Sequence, residues 1–550
     1  MTWSERRLRG VLTGTAAALA AAGLAGPANA ARVDPDHLTA VPRANHKVLG
    51  RPVPNKLSPE LSQVVAAQGS HEVENPTGPV AFYGYLNDGN PLVPIPPATA
   101  EAQKTEPDKN TYLVLADQKG ADSSYDYGTH FVFQGHEAGA PGSITRINLD
   151  ADGDHRVTLL AIADVNGKPL PTFDGSTWDP FAKRLLFTAE LGANGGVWQS
   201  TLDVPAKVED ISGALGRGGY EGIQTDSDGN LWIVEDVGGT TGTGNARQPN
   251  SFVYRFVPED RTDPANGGKL QVLQATSLRT GQPIVFHPGQ VDPDITSPDT
   301  RDLHTYGHVF DTKWVTIHDT AKDGAAPFDA NALAKGAGGT PFKRPENGMF
   351  EPGTRFRSFV FTETGDTNAT TAAGSDLGGF GGLQVLEQDS PSADTGRLHL
   401  LFQGDPAHTG FDNLAFLTRR QLAVVEDRGD TLHTQLDALD SGWVLDATAD
   451  FSRPGAPTPV RFLAEGRDPS ATIDSALLDA RTPGFRNDGD NEITGIHVSD
   501  GDPTPAGLLG AKDPRPFRGR GDDGEGLESW RVFWTQQHGD NVTWELVPRP

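Results

Sequence analysis

Two twenty-residue stretches of this chain superimpose without a gap. Setting FDNLAFLTRRQLAVVEDRGD (411–430) under YEGIQTDSDGNLWIVEDVGG (220–239) puts Asp412 under Glu221 and Leu422 under Leu231. It also puts Glu426–Asp427 under Glu235–Asp236 and Gly429 under Gly238. Each stretch carries acids where a short β-rich run begins and ends. Runs of this form, ending in polar or acidic residues, occur six times: HFVFQGHE (130–137), RLLFTAEL (184–191), NLWIVEDV (230–237), SFVFTETGD (358–366), QLAVVEDR (421–428) and RVFWTQQHGD (531–540). Several are preceded by a shorter acid-bearing motif, as at Tyr220-Glu221-Gly222-Ile223, Asp412-Asn413-Leu414 and Glu492-Ile493-Thr494-Gly495. A lone sandwich has no reason to repeat such a unit, whereas a β-propeller does. The expectation is an all-β, six-bladed β-propeller in which the six runs are inner strands whose acidic ends ring the mouth of a central channel. Residues 31–550 form one domain in this reading, with long loop decorations, the clearest over 262–350.

Glycine (65) and proline (42) make up about a fifth of the 550 residues, and turns of this kind between short apolar runs fit an all-β chain. Helical stretches are scarce, with short ones expected at Ser58–Gln68 and Ser475–Ala480. Acids outnumber bases 73 to 46, for a net charge of −27, which argues against nucleic acid and anionic membranes as partners. The absence of cysteine excludes disulfides, thiolate metal sites and cysteine nucleophiles. Any metal must then be held by oxygen or imidazole, and oxygen favours hard ions such as Ca²⁺.

Residues 1–30 read as an export signal. A charged start, MTWSERRLRG, precedes an apolar run and the cleavage-type sequence Ala28-Asn29-Ala30. The Arg6–Arg7 pair suits twin-arginine export, and general secretion stays open beside it. The expected product is a soluble, extracytoplasmic monomer.

Acids gathered at one channel mouth repel each other unless a cation sits among them. Glu221, Asp236, Asp412 and Glu492 are therefore candidate metal ligands. In Lys343-Arg344-Pro345-Glu346-Asn347, Arg344 and Glu346 lie two apart, so an extended strand carries both on one side. Arginine can hold a phosphate with paired hydrogen bonds while the glutamate holds a metal beside it. Asp150, Asp152 and Asp154 have calcium-loop spacing, but His155 and Ala161 occupy the positions of the glycine and the bidentate glutamate, so a structural turn is expected. Asp226–Gly229 reads as a hairpin turn. No G-x-S-x-G elbow, H-E-x-x-H helix or Walker loop occurs. Of the 15 histidines, His538 is the one expected nearest the channel.

The order of GHE (135–137), FTAE (187–190), YEG (220–222), IVED (233–236), RPEN (344–347), FDNLAF (411–416) and EITG (492–495) resembles the PhoX-type alkaline phosphatases, over roughly residues 45–540. The resemblance implies a six-bladed propeller that hydrolyses phosphate monoesters at iron and calcium ions on its axis. It implies Glu221, Asp236, Glu346 and Glu492 as metal ligands and Arg344 as the catalytic residue binding the phosphoryl oxygens. Glu190 and Asp412 also match acids of the family and are carried over as ligands. The family's T-C-E motif, whose thiolate bridges the irons, reads Thr188-Ala189-Glu190 here. That substitution disfavours iron and leaves calcium as the expected cation. Two further readings stand beside the phosphatase: a calcium-dependent hydrolase of lactones or organophosphates, and a non-catalytic, calcium-stabilised binding propeller.

Overall fold

In a computed structural model of the chain, residues 33–47, 53–92, 102–466, 492–517, 530–538 and 541–549 are described. The expected export signal and the expected helix at Ser475–Ala480 lie outside them. Strands dominate, in five antiparallel sheets. One contains Pro107–Val114, His130–His136, Ile144–Asn148 and Val157–Ala161, and the next contains Ser176–Asp179, Arg184–Ala189, Gly196–Ser200 and Val208–Asp210. A nine-stranded sheet begins with Tyr220–Thr225, Leu231–Glu235, Val253–Pro258 and Gly268–Ala275. It passes through Val309–Asp319 to Thr395–Gln403, Gly382–Gln388, Ser358–Glu363 and Gly348–Phe350. The two remaining sheets begin at Phe411–Phe416 and Glu492–Ser499.

The strands Pro107–Val114, Ser176–Asp179, Tyr220–Thr225, Gly348–Phe350, Phe411–Phe416 and Glu492–Ser499 adjoin one another in succession, and the last adjoins the first. This closed ring of inner strands makes the molecule an all-β propeller. The six repeated runs are therefore second strands, not the innermost ones as expected. Their apolar sequences follow from that position. Leu231–Glu235 is buried at every residue because neighbouring sheets cover both of its faces. Val309–Asp319, farther out, alternates exposed and buried residues over its first half.

Two other expectations change. Leu61–Ala67 is a strand, not a helix. It pairs antiparallel with Val542–Pro548, so an N-terminal segment completes the sheet that ends the chain and closes the ring. The 262–350 region is not plain loop: it contributes Gly268–Ala275 and Val309–Asp319 to the nine-stranded sheet and carries short helices at Val291–Ile295, Pro298–Leu303 and Ala330–Gly336. Asp152 caps the short 3-10 helix Gly153–His155, and Asp226 accepts the N–H groups of Asp228 and Asn230, so both turn readings hold.

Candidate metal centre

One device places the inner acids. The pairing of first and second strands slips between Pro107 and Asn110, between Tyr220 and Ile223, and between Phe411 and Leu414. Each slip is a bulge holding an acid: Asp108, Glu221 or Asp412. Bulges re-aim side chains and are common beside active sites. Threonines from second strands lock the acids' carbonyls. Thr188 Oγ1 donates to Glu221 O, Thr362 Oγ1 to Asp412 O (2.9 Å), and Thr535 Oγ1 to Asp108 O (3.1 Å). Asn413 Nδ2 donates to Thr494 O (2.7 Å). Asp174 and Glu346 hold the same place just before their own strands, because the carbonyls of the next residues, Gly175 and Asn347, accept Thr188 N and Thr362 N. The inner tier is thus Asp108, Asp174, Glu221, Glu346 and Asp412, with Thr494 at the remaining position. Gly222 is required here, since a Cβ there would lie 2.9 Å from Asn347 Cα and from Glu346 O.

A second tier comes from the ends of the second strands. The N–H groups of Glu137, Asp236, Thr364 and Asp427 donate to the carbonyls of Glu106, Gly219, Arg344 and Gly410 at 2.7–2.9 Å. Glu190 belongs to this tier through its bridge with Gly219, and His538 follows the last second strand. Glu106, Arg344 and His538 have φ of 51°, 60° and 58°. Three non-glycine residues in the left-handed region at one opening mark strain of about 1–3 kcal/mol each, the kind that collects at functional sites.

Two groups of acids bring ligand atoms within 4.8 Å of one another: Asp108, Glu137 and Asp174, and Asp174, Glu190 and Glu221. Asp174 is common to both. Burial first, and mutual repulsion after it, pushes the Asp108, Asp174, Glu190 and Glu221 carboxyls well above the usual carboxylate range. Burial raises Glu137 too, with His538 opposing. For Asp412, burial is followed by Glu346 and Asp108. Lys109 lies beneath, 1% exposed, with its Nζ hydrogen-bonded to Asn347 Oδ1. Burial pulls its ammonium down to about 8, against Asp412, Asp108 and Glu221.

Arg344 stands across the opening. Its Nε lies 2.9 and 3.1 Å from the Asp236 oxygens, and its Nη2 lies 2.7 Å from Asp236 Oδ2 and 3.0 Å from Glu346 Oε1. The side chain is 20% exposed, and Nη1 makes no hydrogen bond among the described residues. His538 joins Glu106 (Nδ1, 2.8 Å) to Glu492 (Nε2, 2.8 Å). Against the effect of burial, those two acids hold its imidazole well above its usual range. Burial and then Asp427 push Glu492 up to about 8.

Of the expected ligands, Glu190 and Glu221 share one group. Asp236 and Glu346 meet at Arg344, Asp412 lies in the inner tier, and Glu492 is on the His538 side. Glu235 and Glu426, the first acids of the tandem pairs, face inward. Tyr254, Asn331 and the Phe252 N–H donate to one oxygen of the former, and Arg428, Trp443 and the Ser441 N–H donate to the two oxygens of the latter. Lys343 is buried against Asp366 at 2.9 Å. Asp108 and Asp174 were not foreseen. Their signal was present in Pro107-Asp108-Lys109 and Phe173-Asp174-Gly175, which repeat the ring-then-acid form of Tyr220-Glu221-Gly222. Ala189 is fully buried in the apolar cluster that includes Phe173, Phe187 and Trp198. The donors gathered at the two groups are all carboxylate oxygens, which fits hard divalent cations.

No protein-family model matches the chain, and no curated protein matches it in sequence. Among solved structures it is similar to Pseudomonas fluorescens PhoX in complex with vanadate, a transition state analogue. The TM-score is 0.51 at 12% identity, covering 93% of this chain and 98% of that one. Sqt1 from Chaetomium thermophilum (TM-score 0.33, 10% identity, 80% of this chain and 83% of that one) and the WD40 domain of Toxoplasma gondii coronin (0.34, 9%, 92% and 89%) are too distant to argue from. The likeness to PhoX is one of fold: this chain has a PhoX-like fold.

Proposed function

We propose that this protein is an exported, metal-dependent phosphoesterase acting on phosphate monoesters, and a divergent member of the PhoX-type group. The fold is read as six blades, the nine-stranded sheet being two blades joined through Val309–Asp319. One observation carries the functional reading: two carboxylate groups share Asp174, and an arginine with a free N–H stands across from them. Acids this crowded are stable as anions only with cations among them. Asp108, Glu137, Asp174, Glu190 and Glu221 would hold those cations, of calcium's class. When bound, such ions supply Lewis-acid polarisation of a phosphoryl oxygen. The chain's own groups do the rest. Asp236 and Glu346 fix the guanidinium plane, and Arg344 donates to the phosphoryl oxygens as their charge grows. The substrate is a small phosphate ester. The acidic surface disfavours nucleic acid, and the chain is taken to act as a monomer.

A second reading has one observation in its favour. Arg344 already spends Nε and Nη2 on Asp236 and Glu346, which suits an ester that brings less negative charge, a lactone or an organophosphate triester. The test is hydrolysis of p-nitrophenyl phosphate by the purified mature chain, with elemental analysis of the same sample. Turnover that is lost with chelator and restored by calcium is expected. Chelator-insensitive protein, inert over a broad metal and pH range, sinks the phosphatase reading.

A further inference from the structure

Glu465 has no place in the centre just described. It follows the strand Val460–Ala464 and is 0% exposed, and neither of its carboxylate oxygens has a hydrogen-bond partner among the described residues. Ionised, such a group costs several kcal/mol; protonated, it leaves a buried O–H without an acceptor. Yet its backbone is locked in place. Glu465 N donates to Asp440 O at 2.9 Å. Asn45 Nδ2 donates to Glu465 O at 2.7 Å and to Ala464 O at 3.2 Å. Gly466 admits no side chain, since a Cβ would lie 1.9 Å from Val53 O.

Asp440 stands opposite, one step beyond the cross-strand pair Ser441 and Ala464. It too is 0% exposed. Its Oδ1 accepts from His433 Nε2 (2.9 Å) and Arg428 N (3.2 Å), and its Oδ2 accepts from nothing among the described residues. Like charges opposite each other across a ladder are destabilising.

We propose that Glu465 and Asp440 hold a divalent cation of calcium's class, separate from the two groups that share Asp174. Three buried carboxylate oxygens without a partner among the described residues, two on Glu465 and one on Asp440, lie on facing positions of one ladder, all of them hard donors, and Glu465 can chelate with both of its own. His433 orients Asp440 as an outer-shell partner does. This site stands whether or not the chain hydrolyses phosphate esters.

The test counts ions. The mature chain is stripped with chelator, titrated with calcium by calorimetry, and its bound metal measured by elemental analysis. Wild type should bind one more calcium per chain than Glu465→Gln, and Asp440→Asn should show the same loss. Asp174→Asn should keep this equivalent while losing others. Metal-free Glu465→Gln should melt above metal-free wild type, because the repulsion is gone, and should gain less from added calcium. If wild type binds no calcium, or if both Glu465→Gln and Asp440→Asn bind as many ions as wild type with unchanged affinity, the proposal is overturned.

Discussion

The two sides of the channel mouth treat their carboxylates in opposite ways. On the side of the last two sheets the chain supplies cations from its own sequence. His538 sits between Glu106 and Glu492, and Arg428 sits against Glu426. On the other side, Asp108, Glu137, Asp174, Glu190 and Glu221 form no ion pair among the described residues, although two groups of them come within 4.8 Å. Acids that are buried with their own counter-charges build structure. In the proposed reading, acids buried without them receive a charge that arrives from solution.

That contrast breaks most sharply under exchange. Asp174→Asn removes the ligand common to both groups, so bound metal should fall and phosphate-ester turnover should drop about 10³-fold, several kcal/mol of barrier. The melting temperature of the metal-free chain should not fall. Glu426→Ala should do the reverse. It strands Arg428 and should cost about 3–5 kcal/mol of stability while leaving bound metal in place. Equal effects of the two variants on both readouts would erase the distinction.

Arg344 is the next largest effect. Arg344→Ala should lower kcat toward a phosphate monoester by about 10²–10³, the scale of losing one preorganised donor, with metal content unchanged. Steady-state kinetics on p-nitrophenyl phosphate and on a lactone decide the substrate class. Loss on the phosphate ester alone fits the first reading, and indifference on an active lactone fits the second.

The uncompensated side also predicts how pH acts on the metal-free chain. Burial and repulsion raise its carboxyls in the fold, Glu221 well above its usual 4.5, and across the mouth Glu492 is raised to about 8. The fold thus keeps protons that the unfolded chain releases, and stability falls as pH rises from about 4.5 to 8. Metal-free protein should melt higher at pH 5 than at pH 8 by several degrees. Saturating calcium should abolish or invert that slope. Melting curves at the two pH values, with and without calcium, check the sign.

How much of this was legible in the sequence depends on what each residue has to do. The propeller was readable because a repeated unit leaves a repeated pattern, and Glu221 and Asp412 align across a whole blade. The assignment of inner and second strands was not, because a second strand packed on both faces is as apolar as any inner one. Asp108 escaped because Lys109 follows it, and nothing local reveals that this lysine is buried and hydrogen-bonded to Asn347. Glu465 escaped because its isolation is a matter of packing: Asn45 and Asp440 reach it from distant sequence positions.

The smallest expected effect sharpens the comparison to adjacent residues. Glu235 and Asp236 are identical in charge and next to each other, yet one belongs to the core and the other to the opening. Burial pushes the Glu235 carboxyl up to about 7. Its Oε2 accepts from Tyr254 OH (2.9 Å), Asn331 Nδ2 (2.9 Å) and Phe252 N (3.3 Å), while its Oε1 has no partner among the described residues. In Glu235→Gln the carbonyl can keep those three bonds, and the new amide N–H is left unsatisfied at a cost of about 1 kcal/mol. Above pH 7 that cost is offset by no longer burying a charge. The variant should therefore stay within about 1 kcal/mol of wild type, turn over substrate normally, and lose part of the stability slope between pH 4.5 and 7. Asp236→Asn, one residue on, loosens Arg344 and should lower turnover with little change in melting temperature. If Glu235→Gln impairs turnover as much as Asp236→Asn does, the pair does not divide between core and channel, and the alternation that defines the opening is wrong.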